Sequence, residues 1–140
     1  MGKGMTVAVC IDDKGGMTLF GKRQSRDREL IRELCESYGG VIYIRPFSTH
    51  IFAGWEDRIS VSDDPIGSCP DGGLAFVEDI ALMPYLDSIE RLIVYKWNEL
   101  YPSDRRLDLP LSLFEVKSRV DFKGSSHDRI SKLTMTRKDG

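Results

Sequence analysis

Four short runs of nearly uninterrupted apolar residues constrain the fold of this chain more than any other feature. They cover residues 7–11, 41–44, 74–77 and 92–95, and valine and isoleucine dominate them. A strand that is buried on both faces has this composition, because neither of its faces meets water. The runs therefore predict buried strands, and the segments that join them decide whether those strands run parallel.

The segment between the first two runs has the spacing of an amphipathic helix. Apolar side chains recur on one face of residues 26–38, at Leu30, Ile31, Leu34, Cys35 and Tyr38. Ser25 is the predicted N-cap, and the glycine pair at 39–40 supplies the stop. Strands that alternate with helices favour a mainly parallel sheet.

The last quarter of the chain has a different pattern. Phe114, Val116 and Val120 alternate with charged residues, and Leu133 and Met135 alternate with polar ones after a turn. Two such segments predict an antiparallel hairpin at the edge of the sheet. The predicted fold class is therefore α/β, with a mainly parallel central sheet flanked by helices and a C-terminal antiparallel β-hairpin, in a single domain over residues 1–140.

Composition excludes several classes of protein. The net charge of −2 provides no basic surface for a nucleic acid, and no apolar run approaches the length of a membrane span. The first apolar run is too short for a signal peptide, so we expect a cytoplasmic protein without nucleic-acid or membrane partners.

The metal ligands in this chain are few and scattered. Cys10, Cys35 and Cys69 form no Cys-x-x-Cys pair, and His50 and His127 are far apart in sequence. We therefore predict no metal site. Nothing marks any of the cysteines as a nucleophile.

The stretch Gly124–His127 combines a glycine, two serines and a histidine. Ser126 and His127 are candidates for nucleophilic or acid–base chemistry, which requires a further acid to orient the histidine. Asp128 is adjacent in sequence and would hardly face the ring. The alternative, which is the more common outcome, is that these residues only form the turn of the hairpin.

Asp27 is the best candidate for contact with a ligand. It lies on the apolar face of the predicted helix, where a partly buried carboxylate can accept hydrogen bonds from the amino and ring nitrogen groups of a heterocycle. Its alternative role is a favourable negative charge at the helix N-terminus, worth about 0.5 kcal/mol.

Two further groups are candidates for ligand binding. Arg45, Ser48 and Thr49 can bind an anion at the start of a short helix, although an ordinary cap is the simpler interpretation. Glu78 and Asp79 follow a predicted strand at the edge where open α/β sheets bind ligands, and they suit a cationic or amino-bearing ligand or cap a helix.

The element order, with the hairpin last, resembles dihydrofolate reductase, and several local stretches add to the likeness. They are Val9–Met17, Ser25–Leu30, Ile42–Thr49, Tyr101–Leu109 and Phe114–Arg137. The resemblance spans nearly the whole chain and implies a dihydrofolate-reductase-like fold. It also makes Asp27 the match for the acid that contacts the pterin ring in that family.

The departures from that family concern its cofactor. Where the reductases have a glycine pair against the NADPH pyrophosphate, this chain has Glu78 and Asp79, which would each repel a phosphate by about 1 kcal/mol or more. The glycine before Arg45 is also missing. We therefore predict no cofactor, since the NADPH motif that the resemblance implies is incomplete.

The chain is also similar to small bacterial proteins that carry the label ribonuclease Z. That label implies a two-zinc hydrolase, and two separated histidines cannot furnish such a centre.

The sequence thus predicts a binder of a small heterocyclic or nucleotide-type ligand, or a degenerate reductase-like enzyme without an intact NADPH site. One alternative is an interaction module or homodimer without catalysis, suggested by Trp97, Tyr101 and the Arg105–Arg106 pair on one loop. The other is a hydrolase that uses Ser126 and His127.

Overall fold

The computed structural model describes residues 4–138, so the first three and last two residues of the predicted domain lie outside the described part. The ten strands are β1 (Met5–Ile11), β2 (Gly16–Leu19), β3 (Lys22–Arg23), β4 (Ile42–Ile44), β5 (Ile59–Val61), β6 (Leu74–Phe76), β7 (Ile89–Lys96), β8 (Arg105–Arg106), β9 (Phe114–Phe122) and β10 (Ile130–Arg137). The α-helices are α1 (Arg28–Ser37) and α2 (Pro65–Ser68), and the 3₁₀ helices are Pro46–Phe52, Glu56–Arg58, Met83–Ser88 and Leu111–Leu113.

The central sheet has seven strands in the order β5-β4-β6-β1-β7-β10-β9. The first five are mutually parallel, and β10 runs antiparallel to both β7 and β9. The predicted α/β class, with a mainly parallel sheet and a C-terminal hairpin, is therefore confirmed.

The four apolar runs form the middle of this sheet because each has a buried layer on both faces. In β1, Val7, Val9 and Ile11 pack into one apolar cluster, while Ala8 packs into the other. The second cluster contains the buried face of α1. The period of two along each strand thus places successive side chains in different layers.

Helix α1 begins two residues later than the sequence predicts, and its N-cap is Asp27 rather than Ser25. The carboxylate of Asp27 accepts hydrogen bonds from the backbone N–H groups of Glu29 and Leu30. Asp and Ser are comparable N-caps in isolation, so the choice is made by tertiary contacts of the two side chains.

Several short elements lie outside the four apolar runs. Strands β2 and β3 pair with each other, and with β8 they make a second sheet of three strands. Helix α2 lies between β5 and β6, and β8 lies between β7 and β9. Pro84 is in the first turn of a 3₁₀ helix, a position that proline tolerates because its missing N–H has no helical partner.

Within residues 4–138, no helix is long and apolar enough to cross a membrane.

A polar clamp connects α1 to the two strands beneath it. The fully buried Tyr95 of β7 donates from its hydroxyl to Glu33 Oε1 at 2.6 Å, and Lys132 Nζ of β10 donates to Glu33 Oε2 at 2.9 Å. Burial, followed by the contact with Glu33, raises the pKa of Tyr95 well above its usual value, so the phenol remains a donor.

The substitution Tyr95→Phe tests this clamp. We expect it to lower the free energy of unfolding by about 1 kcal/mol, the typical net value of one hydrogen bond. Urea denaturation measures the change. Tyr43→Phe is the matched control, because the Tyr43 hydroxyl makes no hydrogen bond to any described residue, and an equal loss in both variants would contradict the clamp.

Candidate functional site

A pocket of about 460 Å³ opens at the carboxyl ends of the central strands. Cys10, Phe76 and Trp97, which end or follow β1, β6 and β7, form its floor. Helix α1 and residues 50–53 form its sides. This is the edge at which open α/β sheets hold their ligands.

The pocket has apolar walls, a few polar groups and a charged mouth. Leu30, Ile31, Phe76 and Trp97 supply the apolar surface, and Ser25, His50 and Glu78 are among the polar lining residues. Arg26 and Arg28 also line it and are exposed, and neither forms an ion pair with any residue in the range 4–138.

Asp27 is among the residues that line this pocket, and its side chain is 0% exposed. Its Oδ1 accepts from the backbone N–H of Glu29 at 2.9 Å and of Ser125 at 2.8 Å. Its Oδ2 accepts from the backbone N–H of Ser126 at 2.8 Å and from Nδ1 of His127 at 2.9 Å. The carboxylate therefore holds the loop between β9 and β10 against the start of α1.

These hydrogen bonds decide the charge of Asp27. Burial alone would raise the pKa of Asp27, but the hydrogen bonds from His127 and from the backbone of Ser125, Ser126 and Glu29 outweigh it and lower the pKa to about 2. Asp27 is thus ionised at neutral pH. Because its acceptor positions are already occupied, we assign it a positioning role, and its predicted direct contact with a ligand stays a prediction.

His127 occupies the centre of a hydrogen-bonded chain of side chains. Its Nε2 lies 2.9 Å from Ser25 Oγ and 3.1 Å from the Tyr101 hydroxyl. The Trp97 ring stacks on the imidazole at a centroid distance of 4.6 Å and an angle of 26°. Since the ionised Asp27 is only an acceptor, Nδ1 carries a proton and Nε2 is free to accept one from a hydroxyl.

The serine hydroxyl beside His127 belongs to Ser25 and not to Ser126, whose Oγ donates to the Arg26 carbonyl oxygen at 3.4 Å. The acid that orients the histidine is Asp27 and not its neighbour Asp128. This arrangement has no local signal in the sequence, because Ser25 and Asp27 lie 102 and 100 positions before the histidine. The resemblance of 114–137 to a closing hairpin was the only hint that the turn reaches α1.

Glu78 also lines the pocket, and it is held in an ion pair with Arg23. Its carboxylate accepts from Arg23 Nε and Nη2, both at 2.8 Å, and from Ser48 Oγ at 2.7 Å. The hydrogen bond to Glu78 is the main cause that raises the pKa of Arg23. Ser48, predicted as a cap for a short helix, therefore serves as a partner of Glu78, and the 3₁₀ helix Pro46–Phe52 has no side-chain cap.

The other predicted anion-binding groups also have internal partners. Arg45 Nη1 donates to Asp79 Oδ2 at 2.7 Å, and the Thr49 hydroxyl donates to the Pro46 carbonyl oxygen at 2.8 Å. The two carboxylates at the end of β6 are thus each neutralised by an arginine. Their expected repulsion of a phosphate is weaker than the bare charges suggest, but the arginine that would attract one is already paired.

The residues at this end of the sheet do not fit the pyrophosphate of NADPH. After β6 the chain continues through Glu78 and Asp79 in bends, and the next helix, a 3₁₀ helix, begins only at Met83. A phosphate would thus meet no helix N-terminus and no glycine pair here.

The thiol of Cys10 faces the pocket but is not a reactive group. Burial, and then the negative charge of Glu78, raise the pKa of Cys10 well above its usual value, so it remains a neutral thiol. Among the described residues, no group of three or more His, Cys, Asp or Glu side chains could hold a metal ion.

No protein-family model matches this chain, and no curated protein matches it in sequence. Among solved structures it is similar to a dihydrofolate reductase from Enterococcus faecalis complexed with NADP(H) and RAB-propyl. The two share 9% sequence identity with a TM-score of 0.68, over 97% of each chain. The predicted dihydrofolate-reductase-like fold is therefore confirmed in a divergent form, and at this identity the likeness concerns the fold alone.

A substitution at Gly124 tests the close approach of the loop between β9 and β10 to Asp27. An added Cβ at Gly124 would lie 2.8 Å from Asp27 Cγ and 2.9 Å from Ile130 Cδ1. We expect Gly124→Ala to lower the free energy of unfolding by about 1–3 kcal/mol, as overpacking does elsewhere. Gly39→Ala is the control, because an added Cβ at Gly39 meets no atom within 4 Å. Equal stabilities of the two variants in urea would contradict the close approach.

The lowered pKa of Asp27 makes a prediction about acid stability. Because the folded pKa of about 2 lies below the ordinary value of 3.8, the ionised carboxylate stabilises the fold above about pH 4. That contribution, roughly 2 kcal/mol, is lost as the pH falls toward 2. The difference in unfolding free energy between wild type and Asp27→Asn should therefore shrink over this window in urea titrations. A constant difference down to pH 2 would contradict it.

Proposed function

We propose that this chain binds a small amino-substituted heterocycle, such as the base of a nucleotide-type ligand, in the pocket between α1 and the carboxyl ends of β1 and β6. The observation that carries the proposal is the buried Glu78 carboxylate on the pocket wall, beside the apolar surface of Phe76. A flat ring with an amino group needs this combination of an apolar face and one fixed acceptor.

Glu78 retains hydrogen-bonding capacity that Asp27 lacks. Its Oε1 accepts from Arg23 and Ser48, whereas Oε2 accepts only from Arg23 Nε among the residues that the structure describes. A carboxylate oxygen can accept two hydrogen bonds, so Oε2 has a position for the amino group of a ligand. In this proposal Glu78 takes the ligand-contacting role, and Asp27 shapes the pocket by holding Ser125 and Ser126, which line it.

The mouth of the pocket favours a ligand with an anionic tail. Arg26 and Arg28 are exposed there, without an ion-pair partner among residues 4–138. Two guanidinium groups suit a phosphate or a carboxylate. The pocket volume of about 460 Å³ lies in the usual range for small-molecule sites.

Calorimetry with 2,4-diaminopyrimidine and with AMP tests this proposal. We expect binding of at least one of them to weaken by about 10-fold or more in Glu78→Gln, since a charge-assisted hydrogen bond is lost. Ala53→Trp is a second variant, which fills the mouth from an exposed position and leaves the Glu78–Arg23 pair intact. It should abolish binding without loss of thermal stability.

Glu36→Gln, at an exposed position near the end of α1, is the matched control and should bind as the wild type does. NADPH should not be bound through its pyrophosphate, so its affinity should not exceed that of AMP. Tight NADPH binding together with folate reduction would overturn the proposal, as would the absence of binding by any amino-substituted heterocycle.

A homodimer is the second candidate, and one feature favours it. Strand β9 is an edge of the central sheet, and its Val116 and Val120 side chains are about half exposed. Trp97 and Tyr101, by contrast, contact His127, so this proposal places the partner surface on β9. Light scattering of the wild type and of Val120→Lys distinguishes the two candidates, since a dimer through β9 should dissociate in the variant.

A further inference from the structure

We propose that Ser25, His127 and Asp27 form a hydrolytic centre that cleaves small carboxylic esters held in the pocket. This inference goes beyond the ligand-binding role. It shares the pocket but does not require a heterocycle, because none of the three residues uses Glu78 as a hydrogen-bond partner. The three residues are brought together by tertiary structure, since a hundred residues separate the helix start from the hairpin loop.

The distances are those of a nucleophile, a base and an acid that orients the base. Ser25 Oγ lies 2.9 Å from His127 Nε2, and His127 Nδ1 lies 2.9 Å from Asp27 Oδ2. Both fall within the hydrogen-bond range that proton transfer requires. Stacking on Trp97 fixes the plane of the imidazole, so the base cannot turn away from the serine.

The three side chains differ in solvent exposure: the nucleophile is accessible from the pocket, and the base and the acid are buried. The side chains of His127 and Asp27 are 4% and 0% exposed, while Ser25 is half-buried and lines the pocket. A substrate in the pocket can therefore reach Ser25 Oγ, and water cannot reach the Asp27 carboxylate. The ionised Asp27 keeps the proton on Nδ1 and stabilises the imidazolium that forms during the reaction.

The reaction balances without a cofactor. Ser25 Oγ forms a bond to the ester carbonyl carbon as its proton passes to His127 Nε2, and the π electrons move to the carbonyl oxygen. Collapse breaks the bond to the alcohol, which leaves with the proton from Nε2. Water then attacks the acyl group in the same way, its proton passes through Nε2 to Ser25 Oγ, and the carboxylic acid departs.

The weakest element is stabilisation of the oxyanion. The backbone N–H groups of Glu29, Ser125 and Ser126 donate to Asp27, and that of Arg28 donates to Ser125 Oγ. The exposed guanidinium groups of Arg26 and Arg28, which line the pocket, are the positive charges that remain for this role. Loss of a preorganised backbone donor costs roughly 10²–10³ in rate, so we expect slow turnover and a long-lived acyl-enzyme.

Tyr101 is the competing hydroxyl, at 3.1 Å from Nε2. A phenol and a serine hydroxyl can both react with a fluorophosphonate probe, which forms an O–P bond and releases fluoride. Mapping of the labelled residue by mass spectrometry therefore identifies which of the two is the nucleophile.

The test uses the full chain with a fluorophosphonate probe and with p-nitrophenyl acetate. We expect the label on Ser25, and an ester hydrolysis rate that falls roughly 100-fold or more in Ser25→Ala. Asp27→Asn should lower kcat and leave KM nearly unchanged, because Asp27 acts through His127 and does not touch the substrate. Ser118→Ala, on the exposed part of β9, should match the wild type in both assays.

Three results would overturn the proposal: no labelling of the folded wild type, a label on Ser126 or Tyr101, or unchanged hydrolysis in Ser25→Ala. Circular dichroism confirms folding of each variant, so that a misfolded protein is not read as an inactive one. Heterocycle binding that survives in Ser25→Ala would leave the ligand-binding proposal intact whatever the outcome here.

Discussion

The buried carboxylate of Asp27 is the interaction on which the site depends. It caps α1, accepts from the backbone of Ser125 and Ser126, and orients His127. Each contact joins the start of α1 to the loop between β9 and β10. The large burial penalty is offset only because every oxygen position has a donor, which is the condition under which an ionised group is stable inside a protein.

The two acids of the pocket differ in how many of their acceptor positions remain free for a ligand. Asp27 has no acceptor position left, whereas Glu78 retains one on Oε2 despite its pair with Arg23. Asp79 is paired in the same way with Arg45. The two acids that follow β6 are therefore each neutralised by an internal arginine.

The central sheet could be predicted from the sequence because a nearly continuous apolar run is typical of a strand that is buried on both faces. The buried runs and the alternating segments 114–120 and 133–136 correspond to strands of the central sheet. The strands β3 and β8 could not be predicted, because each has only two residues, too few to show an alternation of apolar and polar side chains. Each is also a strand only through its pairing with β2. The N-cap was predicted at the wrong residue for a related reason. Ser25 and Asp27 are both good N-caps, and only the hydrogen bonds from the loop between β9 and β10 to Asp27 distinguish them.

The candidate residues of the site could be predicted from the sequence, but the contacts between them could not. Asp27, Glu78 and His127 are recognisable because acids and histidines are candidates by residue type. Ser126 was the predicted partner of His127 because the two residues are adjacent in sequence. The fold instead brings Ser25 to Nε2 across the sheet edge, on the pocket side, and turns the hydroxyl of Ser126 toward the backbone of Arg26. A histidine that is 4% exposed, stacked on a tryptophan and hydrogen-bonded at both nitrogens has one orientation only. Because that orientation points Nε2 toward a serine that lines the pocket, the loop forms the hairpin turn and also connects β10 to the pocket through His127.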